Sequence, residues 1–382
     1  MDSVFSIGGV QRVTAVVAKA LAKDYDVTIV TFDSPDRQDT TLYGLVEADI
    51  HYRFFRYPSI GKLKRKLFKV YSGIYRKFSP QSRWTSDLYA LSSFPTKLRK
   101  ALLRELRQGG YDVIIGVHAP LAARLATLRG GLPGVRLIGW IHNSFEALFS
   151  DTSLYIGADR KRHYVFQFRK LDETVVLCRH DAERYMAYDA SFHPKAIYNP
   201  LTLTPGPVAT GTSKRFLAIG RFSHRHKGFD LLIEAFHLFA KNNADWMLDI
   251  VGEGEEEELY RSLIKQYHLE NRVFLHPFTN HIQAYYSQAQ VYVLSSRWEG
   301  FGLVLVEAMA HGLPVVSSDL PTSLEIMGDF GLYFKNGDVS ELARRMDEAT
   351  RLDWPAKSVQ AISIAHRFDL SNIVSQWHSM LG

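Results

Sequence analysis

Cysteine is almost missing from this chain: Cys178 is the single one in 382 residues. A lone thiol forms no internal disulfide, so the fold must rest on its core, and a reducing compartment or indifference to redox is expected. Long apolar runs are missing too. No stretch approaches the roughly 18 uninterrupted apolar residues that a membrane-spanning helix needs. The opening Met1-Asp2-Ser3 lacks the basic start and apolar run of a secretion signal, so a cytoplasmic protein is expected. No short-period repeat points to a solenoid. With 46% hydrophobic and 23% charged residues, disordered, collagen-like and coiled-coil chains are excluded as well.

What is present is ordinary globular material, enough for two domains. The charge is divided unevenly. Residues 1–199 hold 30 Lys and Arg against 19 Asp and Glu, a balance of +11, whereas residues 200–382 hold 16 against 21, a balance of −5. A basic half joined to an acidic half suggests domains that meet different partners.

Short β-branched runs alternate with helix-length segments. Asp26–Val30, Val113–Gly116, Leu137–Ile141 and Thr174–Leu177 read as buried strands, with amphipathic stretches such as Val13–Ala22 and Thr96–Leu106 between them. The pattern breaks at the Pro, Gly and Thr-rich stretch 199–213, the expected linker, and restarts with Phe216–Gly220, Met247–Gly252, Val273–Leu275, Val291–Leu294 and Pro314–Ser317. Continuously apolar strands interleaved with helices predict parallel sheets covered on both faces. The expected fold is α/β, two Rossmann-like domains in tandem: 1–198, then 214–365 after the linker, with a last helix over 366–382. Gly8-Gly9 looks like the turn after a first central strand, yet seven residues are short for one. That first strand is expected to be short or missing, or to start upstream.

Two segments carry chemistry. In Gly220-Arg221-Phe222-Ser223-His224-Arg225-His226-Lys227-Gly228, a strand end feeds a helix start, where open α/β sheets bind anions. Arg221 and Lys227 flank that turn and could neutralise a diphosphate; composition alone would make it a solvated basic loop. His224 and His226 lack the Cys or carboxylate partners of a metal site. Asp24-Tyr25-Asp26 reads as turn punctuation, so no metal site is expected. In the second segment, Glu299-Gly300-Phe301-Gly302-Leu303-Val304-Leu305-Val306-Glu307, the glycines let backbone amides face a ligand, and the two acids can face a crevice and hold vicinal hydroxyls.

These segments, with Gly8-Gly9-Val10-Gln11-Arg12, resemble the retaining glycosyltransferases of the GT-B fold, family 4. Glu299 and Glu307 match the family's paired glutamates and Arg221 and Lys227 its basic pair. The likeness is strongest over 216–320. It implies two domains facing each other across a cleft, the last helix returning to the first domain, and metal-independent sugar transfer with retention. Arg221 and Lys227 would hold the donor diphosphate and Glu307 the ribose. Glu299 and the amides around Phe301, Gly302 and Leu303 would contact the sugar. Gly9 would line the cleft opposite the phosphates, and His142 matches the histidine that faces the transferred sugar. The resemblance thus implies Glu299, His142, Arg221 and Lys227 as the catalytic set, a nucleotide sugar of the UDP type as substrate, and no cofactor. Phe278, in the loop Pro277-Phe278-Thr279 after a strand, is the expected base contact.

Residues 61–78 bear seven cations and no acid, with Leu63, Leu67, Val70 or Tyr71, Ile74 and Phe78 at helical spacing on one face. That pattern predicts an interfacial helix on anionic lipid, or else a helix packed on its own domain. Nucleic acid is not expected as a partner. The acceptor expected is a membrane-associated glycan or glycolipid of cell-surface polysaccharide synthesis, with the protein at the inner face of the membrane. Two alternatives stand beside this reading: a sugar phosphorylase or nucleotide-sugar epimerase on the same fold, or a non-catalytic partner subunit. An NAD-dependent oxidoreductase is disfavoured, because no Gly-x-Gly-x-x-Gly follows a strand with an acid about 20 residues on.

Overall fold

The computed structural model describes residues 1–382 apart from 79–81, 151–152, 154 and 224–225. Two compact units emerge. The first comprises Met1–Pro200 together with Ile373–Gly382, and the second is Leu201–Asn372.

The first unit carries β1 (Val27–Thr31), β2 (Ile50–Phe54), β3 (Val113–Val117), β4 (Arg136–Trp140), β5 (Glu173–Val176) and β6 (Lys195–Ala196). Every pairing is parallel, but the strands form two sheets, β1-β2 and β3-β4-β5-β6. Residues 1–7 form no strand; the Met1 ammonium donates to the Val30 carbonyl at 2.6 Å, and the Phe32 amide donates to the Asp2 carbonyl. Leu137, Ile141, Phe168 and Tyr185 anchor the larger core. Trp377 returns to this unit from the far end of the sequence and is fully buried, its ring 4.7 Å from that of Trp140. Cys178 is buried as the cap of the helix Arg179–Tyr188, its sulfur accepting from the Asp181 amide.

The basic segment forms the helix Lys62–Phe78, and it rests on the unit through a different face from its apolar stripe. Tyr75 is buried and stacks on Tyr89 at 4.4 Å, while Arg76 pairs with Asp159. Leu63, Leu67, Val70, Ile74 and Phe78 point to solvent, each about half exposed or more (48–73%).

In the second unit, β7 (Arg215–Ile219), β8 (Met247–Val251), β9 (Val273–His276), β10 (Val291–Leu294), β11 (Val315–Ser318) and β12 (Leu332–Phe334) make one parallel sheet. Its order is β12-β11-β10-β7-β8-β9, a doubly wound arrangement whose direction reverses between β7 and β10. Apolar residues on one sheet face, such as Phe216, Ile250, Val293 and Val316, and on the other, such as Leu217, Val251, Tyr292 and Val315, are buried.

The stretch expected as a linker is largely part of this second unit. The Leu201 amide donates to the Phe368 carbonyl at 2.7 Å, the Ala209 amide to the His311 carbonyl at 3.0 Å, and the Gly206 amide to His311 Nε2 at 3.0 Å. Proline and glycine signal irregular backbone there rather than freedom, and its amides still find acceptors.

Candidate functional site

Ligands of open α/β sheets sit beyond the carboxyl ends of the strands, at the point where strand order reverses. In the second unit that point lies between β7 and β10, paired through Val291 opposite Phe216 and Tyr292 opposite Leu217. Arg221 and Lys227 follow β7; Glu299, Phe301, Gly302 and Leu303 follow β10. The two singled-out segments thus meet at the switch point.

Gly228 begins the helix Phe229–Ala240 with φ +64°, and a β-carbon there would lie 2.0 Å from the Ser295 carbonyl oxygen. Only glycine lets the two loops approach so closely. Across that contact the Ser295 hydroxyl donates to the Lys227 carbonyl at 2.7 Å. Arg297 clamps Asp230 through two hydrogen bonds of 2.8 Å, fixing the second loop to the first helix.

Lys227 and Glu299 form the centre of the arrangement. The Lys227 ammonium donates to Glu299 Oε1 at 2.6 Å, and the Ser296 hydroxyl donates to the same oxygen at 2.6 Å. Burial pushes the Glu299 carboxyl up, but Lys227, His226 and Ser296 outweigh it and hold the group below the ordinary carboxylate range. It stays ionised. Arg221 is exposed, and its guanidinium pairs with no carboxylate among the described residues. His226 stacks flat on Trp298 at 4.8 Å and contacts the Trp298 carbonyl through Nε2. His224 lies outside the described residues, and among those described no three His, Cys, Asp or Glu side chains converge as a metal set.

Gly302, with φ +84°, starts the helix Leu303–Ala310, and no side chain caps it. First-turn amides left without helical partners make such a terminus a site for negative charge. Phe301 points away, buried edge-on against Phe368 at 5.8 Å, so its backbone alone can serve a ligand. Glu307 lies on the same helix and is buried. The Tyr286 hydroxyl donates to it at 2.8 Å, Tyr286 stacks on His311, and His311 Nδ1 donates to the Glu307 carbonyl. Phe278 is half exposed in the loop after β9.

Tyr286 and His311 are residues that sequence reasoning missed. Tyr286 sits on the separate helix Ile282–Gln288, 21 residues before its partner, and no spacing rule joins them. His311 is one helical turn beyond Glu307, so i, i+4 geometry was a signal available for it.

Gly9 and His142 belong to the first unit. Gly9 opens the helix Gly9–Leu21. His142 follows β4 and is buried, its ring 4.4 Å from Trp140 and 5.7 Å from His118. Burial, then the charge of His118, push its pKa well below the usual histidine value, so it is neutral at pH 7. Its Nε2 is buried with no hydrogen-bond partner among the described residues. His118 itself, capping the helix Ala119–Ala126, adopts φ +77°, a conformation other residues than glycine seldom hold.

Comparison with known proteins agrees with this geometry. The family model described as Glycosyltransferase Family 4 matches residues 7–204, and the one described as Glycosyl transferases group 1 matches residues 206–365. An uncharacterized glycosyltransferase of Haemophilus influenzae is 26% identical over 385 residues, covering 98% of this chain and 97% of its own. The amylovoran biosynthesis glycosyltransferase AmsD of Erwinia amylovora is 27% identical over 345 residues, 87% of this chain and 83% of its own. Among solved structures, Anabaena HepE in complex with UDP and glucose superposes with a TM-score of 0.74 at 19% identity, covering 100% of this chain and 97% of its own. TarM, known from S. aureus, superposes over 73% of this chain with a TM-score of 0.62 at 20% identity, and this chain spans 57% of its length. With one family model covering more than half of its residues and a second covering most of the rest, the chain belongs to glycosyltransferase family 4, on a GT-B fold.

Proposed function

We propose that the chain is a retaining glycosyltransferase that moves a hexose-type sugar from a UDP-sugar to a membrane-associated glycan or glycolipid in cell-surface polysaccharide synthesis. The observation that carries this reading is the buried Lys227–Glu299 pair beside the open helix start at Gly302, at the switch point between β7 and β10. Breaking a sugar–phosphate bond puts positive charge on the ring and negative charge on the diphosphate. Arg221, Lys227 and the amides of Gly302 and Leu303 meet the second charge, in a site where preorganised donors act strongly. Glu299, ionised and fixed by Lys227 and Ser296, has one oxygen left to face the sugar. Glu307, braced by Tyr286, holds the ribose hydroxyls, and Phe278, exposed in the loop after β9, is assigned to the base. The cations on the leaving group make a metal unnecessary in this scheme. His142 and Gly9 are assigned to the transferred sugar by family resemblance. A neutral His142 with an open Nε2 can donate to or accept from a hydroxyl. The name of AmsD as an amylovoran biosynthesis enzyme and the UDP and glucose bound to HepE support the donor and the polysaccharide setting.

The test is a thermal-shift series with UDP, GDP, ADP and their sugar conjugates. A bound nucleotide at about 100 times its Kd adds about 2.7 kcal/mol. We expect the shift with the uridine series alone, lost in Glu307→Ala and Arg221→Ala. No shift with any nucleotide, on folded protein, would sink the proposal.

The acceptor side rests on the helix Lys62–Phe78. Its outward stripe of five exposed apolar residues, with lysines beside it, supports an interfacial helix, and each basic residue near anionic lipid contributes about 1 kcal/mol. Vesicles containing phosphatidylserine should sediment the chain at low salt. Leu67→Ser with Ile74→Ser should release it, and equal binding by neutral vesicles would refute the electrostatic part.

A further inference from the structure

In the second unit, the sheet face opposite Phe216, Ile250 and Val293 carries a polar row. Arg215 of β7, Asp249 of β8 and His276 of β9 share that face. The register requires it: Leu217 pairs with Asp249 and Asp249 with Phe274, and residues two apart along a strand point the same way. Arg215 Nη1 donates to Asp249 Oδ2 at 2.8 Å, and His276 Nε2 lies 2.8 Å from Asp249 Oδ1. The Asp249 side chain is only 11% exposed, so its charge needs a partner, and Arg215 is one. The contact with His276 settles something else. A carboxylate only accepts, so Nε2 carries the hydrogen of the neutral ring and Nδ1 is left as a bare acceptor. Nδ1 makes no hydrogen bond among the described residues, and it is open to solvent.

His276 is the last residue of β9, its carbonyl fixed by the Gly252 amide at 2.9 Å, and Pro277 and Phe278 follow it directly. That is the carboxyl end of the sheet, where open α/β folds hold ligands. The His276 ring lies 5.0 Å from that of Tyr285. The next residue of the same helix, Tyr286, is the one that donates to Glu307. One short helix thus ties the bare acceptor to the carboxylate assigned to the ribose, and a base is joined to its ribose by a single bond.

We propose that His276 is a specificity-determining residue for the base of the donor: its Nδ1 accepts from the N3–H of uracil. The assignment rests on the nucleotide-sugar reading of this unit and adds the group that tells one pyrimidine from another. Cytosine presents a bare N3 at the same position, so two acceptors would face each other and CDP is refused. Stacking on Phe278 does not make that distinction, because every base has a π-face. Asp249 and Arg215 touch no base; they position the ring and set which of its nitrogens is bare.

The experiment titrates UDP and CDP by calorimetry into the full chain and two variants. The unaltered chain should prefer UDP about tenfold to a hundredfold, the range that follows from leaving one acceptor unpaired. His276→Phe keeps an aromatic ring and loses both nitrogens, so the preference should fall to about threefold or less. Asp249→Asn is the sharper arm. Arg215 only donates, so it draws the amide oxygen and leaves the amide NH2 facing Nε2. The ring must then carry its hydrogen on Nδ1, and the preference should turn toward CDP. A merely structural Asp249 would weaken both nucleotides alike, and that result would overturn the proposal. So would an undiminished preference for UDP in His276→Phe. Thermal midpoints establish that each variant is folded, and should Asp249→Asn not fold, His276→Phe decides alone. Failure of the donor reading looks different: neither nucleotide then binds the unaltered chain, and the proposal falls with it.

Discussion

Under the proposed function, Lys227 and Glu299 serve both folding and ligand binding. Both side chains are nearly buried, at 14% and 8% exposure, so neither is stable there alone. Lys227→Met leaves a buried carboxylate without its cation and should cost about 3–5 kcal/mol in denaturant unfolding; the double change with Glu299→Leu should cost clearly less. If the double variant is no more stable than the single, the pair is not coupled as described. The sign with pH follows from the same geometry. The Glu299 carboxyl is held below its ordinary value, so its contribution is complete above the unfolded pKa and fades as pH falls through the folded one.

At the scale of elements, the sequence was most legible where the backbone pattern is local. Strands such as Val291–Leu294 and Val315–Ser318 are short valine-bearing runs buried along their whole length, as parallel strands covered on both faces are. The helix start at Leu303 was readable from Gly302, whereas the roles expected of Glu299 and Glu307 are those the family resemblance implies. Contacts between distant elements were not. Tyr286 reaches Glu307, and His163 on the helix Lys161–Phe168 supports Tyr75 and Tyr89, only because the fold brings these helices together. His163 carries a prediction of its own. It accepts or donates at Ser86 across 2.8 Å, near Asp87, Lys170 and Arg160, and burial lowers its pKa to about 4. Its neutral form is the one the fold selects. Stability from this group is therefore intact above about pH 6.5 and declines toward pH 4, by up to about 1.4 kcal/mol per pH unit. Following Tyr75 and Tyr89 by near-ultraviolet circular dichroism should show the packing under the helix Lys62–Phe78 loosening over that window, less so in His163→Gln. An unchanged profile in the variant would remove His163 from the account.

For the whole molecule, division into two units was visible from the break near residue 200, but the course of the chain through them was not readable from composition. Its Pro- and Gly-rich stretch is bonded into the second unit, and the first unit takes back Ile373–Gly382. Trp377 is the anchor of that return, buried against Trp140. Trp377→Ala should lower the stability of the first unit by about 3–5 kcal/mol while leaving the second unit's exchange rates unchanged. Equal loss in both, by hydrogen exchange, would mean that the two units unfold as one.

The return of Ile373–Gly382 also sets an order in time. Leu201–Asn372 is contiguous and can close its sheet as soon as it has been made, whereas the first unit, begun earlier, has to wait for a segment synthesised after the whole of the second. At about 5–20 residues per second the delay is roughly ten to thirty seconds. Through that interval Trp140 has no indole to cover it, and the basic, half-finished domain stands open in the cell. A nascent chain of this design has its older half exposed the longest.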